Sequence, residues 1–272
     1  MKGFKEFIVR TVTAFFLILF AYGVIQFLPP VYFSMVLYVL VSMAVYELVR
    51  LCQPKKYSWI LIFGLGLVIG SGFTFGKPPL LMAVFAVVFL TGLFFLLSTR
   101  QPADLTSFVR DIGIHFLVIF YLYIPLYFLL KLKIQGPHFL FFLIIVVAIG
   151  DSGAYFVGRG LGKRKIYPVA SPNKTLEGII AAVLTAAPAG WLSILIFPVD
   201  ITPLTAVVTG AVIGLLSQLS DPVESLFKRA SAKKDSGTIL PGHGGILDRL
   251  DSYIFCAPAL YFIIHYFWKY GT

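Results

Sequence analysis

Charge is scarce in this chain. Of 272 residues only 12% are Asp, Glu, Lys or Arg, whereas 59% are hydrophobic and the mean hydropathy is +0.92. A soluble domain is about half apolar and about a quarter charged, so this composition excludes that class. Cysteine is nearly absent: Cys52 and Cys256 lie in or beside apolar segments without metal-ligand spacing, which excludes a disulfide framework and a thiolate zinc site. The sequence has no Walker A loop, dinucleotide-binding fingerprint, HExxH or GxSxG. It also lacks an internal repeat, a low-complexity tail and an aromatic–basic pattern suited to nucleic acid.

What the chain has in abundance is long uncharged runs, several close to or above the ~20 residues that cross a bilayer. The first, Thr11 to Leu28, follows Lys2, Lys5 and Arg10. It is longer than a signal-peptide core and no small-x-small cleavage site follows it, so it is expected to be a retained span. The pattern predicts an all-α, polytopic integral membrane protein of about nine transmembrane helices, near 8–28, 31–51, 58–75, 79–98, 111–130, 138–158, 177–198, 202–220 and 251–268. Pro29-Pro30, Pro54, Pro78-Pro79, Gly136-Pro137 and Pro203 mark boundaries, where a missing N–H and a fixed φ stop a helix. Pro125, Pro188 and Pro258 fall inside spans and are expected to kink them.

Basic residues orient this arrangement. With the N-terminus cytoplasmic, 18 of the 22 Lys and Arg face that side, and only Lys77, Lys131, Lys133 and Lys269 face the other. This bias supports a cytoplasmic N-terminus, an odd number of spans and an outside C-terminus. It also accounts for the net charge of +10 without invoking nucleic acid, since topology and attraction to anionic lipids explain most of the cations. Acids are placed differently. Seven of the twelve fall between Asp151 and Asp251 on the expected cytoplasmic side, so residues 1–137 read as membrane scaffold and 138–272 as a catalytic region.

Several constellations stand in that second region. In Ser220-Asp221-Pro222-Val223-Glu224 the acid, proline and second acid form a capping-box pattern. If the helix runs on towards Lys233, Asp221, Glu224, Ser225 and Lys228 share one face; capping with i,i+4 pairing and a site role explain this segment equally well. Asp248 and Asp251 share a face at the start of the last span, next to the positive end of its dipole. Upstream, Pro241-Gly242-His243-Gly244-Gly245 offers bare N–H groups that approach phosphate closely, and Lys228, Arg229, Lys234 and Arg249 stand in the same stretch. Carboxylates beside Lys and Arg are what a Mg²⁺–polyphosphate needs, while His243 is either a phosphate donor, a general acid or a structural hydrogen-bonder. Asp151 interrupts an apolar run, where an ionisable group marks function by default. Lys174 and Thr175 precede the seventh span, as a helix cap or a phosphate site. His115 and His265 lie in apolar runs and are expected in the core.

With these residues in place, Ser225 to Asp251 resembles the signature of the phosphatidate cytidylyltransferases, S-x-hydrophobic-K-R-x4-K-D-x-G-x2-L-P-x-H-G-G-x2-D-R-x-D, across all 27 positions. Asp151 to Arg159 and Ser171 to Gly178 resemble the two upstream motifs of that family, and the likeness is strong from Gly150 to Asp251. Ser220-Asp221-Pro222 departs from the family's common Gly-Asp-Leu, keeping the acid. The resemblance implies transfer of the cytidylyl group from CTP to phosphatidic acid, giving CDP-diacylglycerol and pyrophosphate, in a prokaryotic plasma (inner) membrane. It implies Mg²⁺, with a second cation and a homodimer left open, and an active site at the cytoplasmic face. It assigns Asp221 and Asp248 as metal ligands, with Asp251 and Lys228 also catalytic. Lys174, Thr175, Ser225, Arg229, Lys234, Asp235, His243 and Arg249 are expected to bind substrate. Two weaker alternatives are a CTP-dependent polyprenol kinase and a transporter using Asp151.

Overall fold

The computed structural model describes residues 2–52, 105–233, 235–237, 239 and 244–268, with isolated helical positions at 66, 89, 92–93 and 96–97. The expected spans 58–75 and 79–98 lie outside the described residues apart from those positions, as do Lys234 and His243. Helices dominate. α1 (Lys2–Phe27) and α2 (Pro30–Cys52) are separated at Pro29-Pro30, where the missing donors end one helix and start the next. α3 (Leu105–Leu117) passes through a π-helical turn, Val118–Tyr123, into α4 (Ile124–Gln135). Pro125 follows that turn; it has no N–H for the Tyr121 carbonyl, and the change of register precedes it.

α5 (Pro137–Leu161), α6 (Leu176–Ile196), α7 (Pro203–Ala230) and α8 (Leu247–Phe267) complete the bundle. Among the described residues, six helical segments are long and apolar enough to cross a membrane. Their outer faces carry exposed apolar side chains such as Phe156, Leu184, Val208 and Phe267, suited to lipid. The core between them is built on Leu48, Leu122, Leu126, Phe139, Leu143, Ile213, Leu247 and Ile254.

Three differences from the sequence expectation matter for function. First, the protein is not purely helical. Between α5 and α6 an antiparallel hairpin pairs β1 (Lys165–Tyr167) with β2 (Ser171–Thr175), with Lys165 opposite Thr175. Glu177 ties its root to α6, accepting from the amides of Lys163 at 3.0 Å and Arg164 at 3.2 Å. Thr175 caps α6 by accepting from Gly178 N at 3.2 Å, as its position suggested.

Second, α7 does not stop near residue 220 but continues ten residues further. Asp221 and Pro222 therefore lie inside a helix and cap nothing, which corrects the capping-box reading. Third, α8 starts at Leu247 rather than 251, so Asp248 and Asp251 both stand in its first turns. Small residues bring α5, α6 and α7 close together. A Cβ on Gly210 would meet the backbone of Ala186, and one on Gly214 the backbone of Ala182 at 3.1 Å.

Candidate active site

The site forms where α5, the end of β2, the C-terminal half of α7 and the first turns of α8 converge on a cavity of about 610 Å³. Asp151, Lys174, Gln218, Asp221, Asp248 and Arg249 are among its lining residues, joined by Thr175 and Asp251.

One side of it is a relay of polar contacts. Pro222 has no N–H to offer the carbonyl of Gln218, four residues earlier. Lys174 takes up that carbonyl at 3.5 Å, and also donates to Gln218 Oε1 at 3.1 Å and to Asp221 Oδ2 at 2.7 Å. The amide of Gln218 in turn donates to Asp151 Oδ1 at 2.7 Å, and Ser217 donates to the same oxygen at 3.3 Å. Asp151 is thus an ionisable group whose Oδ1 is held by the side chains of two consecutive α7 residues. A proline that reads as a helix start in the sequence acts here as the device that frees a carbonyl for a lysine.

The other side is an ionic triad. Lys228 Nζ pairs with Glu224 one turn earlier on α7 and with Asp248 Oδ1 at 2.8 Å on α8. Glu224 is fully buried and Lys228 nearly so, which makes this a structural tie between two helices as well as a charge arrangement. Asp248 Oδ2 accepts from Gly245 N at 2.8 Å, Ser236 N at 3.2 Å and Ser236 Oγ at 2.9 Å. Gly244 sits at φ +79°, and a Cβ there would come 2.8 Å from that same oxygen, so the turn needs glycine. Ser220 on α7 donates to the Asp251 carbonyl, fastening α7 to α8 a second time.

Among the described residues, Asp221, Glu224 and Asp251 offer carboxylate oxygens within 4.8 Å of one another. Three acids so close, two of them buried, repel strongly unless a cation lies between them. The all-oxygen donor set suits a hard divalent ion such as Mg²⁺. The residues present therefore fit the implied metal. Asp248 stands beside this group, with its oxygens turned to Lys228 and to the 236–245 loop.

The sequence-predicted residues divide accordingly. Asp221, Asp248, Asp251, Lys174, Thr175 and Arg249 come together on the cavity. Ser225 lies on α7 away from the lining, and Asp235 is exposed in the loop. Arg229 donates to the carbonyls of Ala170 and Lys233, both at 3.4 Å, joining the hairpin to the end of α7 rather than lining the cavity. Two residues escaped the sequence reading of the site, Gln218, which carries no charge signal, and Glu47; Glu224, for which pairing and a site role stood level, was not among the expected site residues. Glu47 is an acid in an apolar run, the same signal that singled out Asp151, but it stands beside Arg50 at a span end.

A bundle of membrane-length helices around a polar cavity of clustered carboxylates, Lys174 and Arg249 has the make-up of a membrane-embedded enzyme. The chain belongs to the cytidylyltransferase family, whose model matches residues 8–267. A phosphatidate cytidylyltransferase of Bacillus subtilis is 35% identical over 243 residues, covering 86% of this chain and 89% of that protein. Namesakes from Staphylococcus saprophyticus and Staphylococcus aureus are 37% and 42% identical over 61% and 52% of this chain, and 64% and 54% of their own lengths.

Proposed function

We propose that this chain transfers the cytidylyl group of CTP to phosphatidic acid, releasing pyrophosphate and forming CDP-diacylglycerol. The observation that carries this reading is a cavity lined by Asp221, Asp251, Lys174 and Arg249, with Glu224 buried beside the two acids, in a chain alike along most of its length to a phosphatidate cytidylyltransferase.

The chemistry asks little of a general base. A phosphomonoester has a second pKa of roughly 6, by analogy with phosphoserine, and is largely ionised at neutral pH. The barrier is repulsion between two polyanions and charge growing on the departing pyrophosphate, and fixed cations lower it. Asp221, Glu224 and Asp251 are the residues to hold Mg²⁺, with Asp248 within reach of the same group. A divalent cation held by these carboxylates would supply positive charge against the phosphates. Lys174 and Arg249, on the cavity wall, present positive charge to phosphates, and Arg249 supplies a planar fork suited to two oxygens. Lys228 holds Glu224 and Asp248 in register, so its charge serves the site from behind. Ser225, Arg229, Lys234, Asp235 and His243 belong to the same signature stretch, and a part for them in binding substrate rests on the resemblance of that stretch to the family signature. The basic bias of the sequence supports a cytoplasmic site: CTP enters from water while the lipid arrives laterally between helices. Nine spans follow from the uncharged runs, an odd count with an outside C-terminus accords with the same bias, and the membrane is a prokaryotic plasma membrane.

Purified protein incubated with labelled CTP and Mg²⁺ tests the reading when phosphatidic acid, a polyprenol or no lipid is supplied. The expected result is a labelled lipid product with phosphatidic acid alone. Product with the polyprenol alone would identify a polyprenol kinase instead. The transporter reading predicts no product with either lipid, and the clustering of polar groups on one cavity, rather than across the midplane of several spans, weighs against it.

A further inference from the structure

Glu47 is the most unexpected acid in the molecule. It lies in the last turns of α2, in the scaffold half, and is 1% exposed. Its partners are some two hundred residues away in sequence. Oε1 accepts from Ile246 N at 3.2 Å, and Oε2 accepts from Leu247 N at 2.8 Å and from Ser236 Oγ at 2.9 Å. The first two are the leading amides of α8, whose own N-cap residue is Ile246, a side chain with nothing to offer them. Glu47 therefore caps α8 from another helix and adds negative charge at its positive end.

The loop before α8 is shaped around this carboxylate. A Cβ on Gly237 would come 2.8 Å from Glu47 Cδ, and one on Gly245 would come 2.6 Å from Oε1. Ser236 Oγ also reaches Asp248 Oδ2 at 2.9 Å, and a hydroxyl has one proton to give, so the two carboxylates share it. Asp248 is the residue that Lys228 ties to α7.

From this geometry we infer that Glu47 is a positioning residue, a buried anchor on α2 that sets Asp248 through Ser236 and the start of α8. The inference rests on the proposed reaction for its kinetic consequence, but not for its structural one.

Glu47→Gln keeps the shape, removes the charge and turns one acceptor into an NH₂ that faces donors. In the purified full chain, kcat with CTP and phosphatidic acid is expected to fall ten- to a hundredfold, roughly the loss of charge-assisted hydrogen bonds, with KM for CTP changed by less than about threefold. Ser236→Ala is expected to lower kcat by a smaller factor. The double variant should be no slower than Glu47→Gln alone, because the two act on Asp248 in series. Amide hydrogen exchange supplies a readout independent of turnover: peptides spanning 235–250 should exchange faster in Glu47→Gln, with α5 and α6 unchanged. Parent-like exchange in that loop would overturn the inference whatever reaction the protein performs. So would a parent-like kcat in folded Glu47→Gln, or losses that multiply in the double variant. If Glu47→Gln fails to fold, Ser236→Ala decides: parent-like kcat and loop exchange in it would overturn the inference, and a lowered kcat with an unchanged melting temperature would support it. A parent enzyme inactive towards CTP and phosphatidic acid would remove the proposed function, while the exchange result still judges the anchor.

Discussion

Asp221 stands midway along α7 with Lys174 on one oxygen and two further carboxylates close by, so its charge has work to do that its shape alone does not. Asn would cap a helix as well as Asp, but there is no helix start here to cap. Asp221→Asn and Asp248→Asn are each expected to fold and to lose most turnover, with kcat/KM reduced tenfold or more; near-parental rates in Asp221→Asn would remove it from the site. Lys228 differs from the other cations in being the only link between Glu224 and Asp248 among the contacts described. Lys228→Gln strands two largely buried acids, a change that costs roughly 3–5 kcal/mol when a buried pair loses one partner. It should therefore lower both activity and melting temperature. Lys174→Gln, on the cavity wall, should raise KM for CTP while leaving melting closer to the parent. Equal melting temperatures for these two variants would contradict the tie assigned to Lys228.

At the scale of elements, the site depends on how closely α6 and α7 approach, since that distance carries Asp221 and Gln218 to Lys174. Gly210, packed on the Ala186 carbonyl group, is one of two glycines, with Gly190, at which a Cβ would come closest to the facing helix's backbone. Gly210→Ala is expected to destabilise the protein by about 1–3 kcal/mol through overpacking. Gly23→Ala in α1, where a Cβ meets nothing within 4 Å, should be neutral or stabilising by roughly 0.5–1 kcal/mol, because a helix interior favours alanine. Thermal melting of both in detergent checks the pair, and an unaffected Gly210→Ala would mean the helices have slack that this packing denies. The reason α7 outruns its expected end is also local. Ser220-Asp221-Pro222 looks like a helix start because proline favours the first turn, yet proline inside a helix costs only one hydrogen bond when another donor takes the freed carbonyl. Lys174, 44 residues away, is that donor, and a pattern read along the chain has no view of it. The hairpin at 165–175 was hidden for a related reason: three and five residues of strand leave little periodicity, and its pairing is held by Glu177 from the next helix.

Across the whole molecule, the class of protein and most of the cavity lining were legible because hydropathy and local charge are properties of contiguous residues. The signature from Ser225 to Asp251 contributes Asp248, Arg249 and Asp251 to that lining, and the upstream motifs contribute Asp151 and Lys174. What was not legible comes from outside those stretches or lacks a charge signal. Glu47 belongs to the scaffold half, and its role exists only once α2 has packed against the 236–247 loop. Orientation remains a statement about charge bias, and it has a direct check: a single cysteine at 163 should be labelled by an impermeant thiol reagent only after cells are opened, and one at 272 from outside, with the native cysteines replaced. Labelling of position 163 in intact cells would reverse the proposed topology.

The central claim is that the α-phosphorus of CTP moves to a lipid phosphate in the cavity built on Asp221, Lys174 and Asp248. The most direct measurement gives the purified protein phosphatidic acid, Mg²⁺ and CTP labelled at either the α- or the γ-phosphate, beside Asp221→Asn under the same conditions. α-Label is expected to enter the lipid and γ-label to leave in pyrophosphate, and Asp221→Asn is expected to yield neither at a comparable rate. Label from the γ-phosphate in the lipid, or equal transfer by Asp221→Asn, would contradict it.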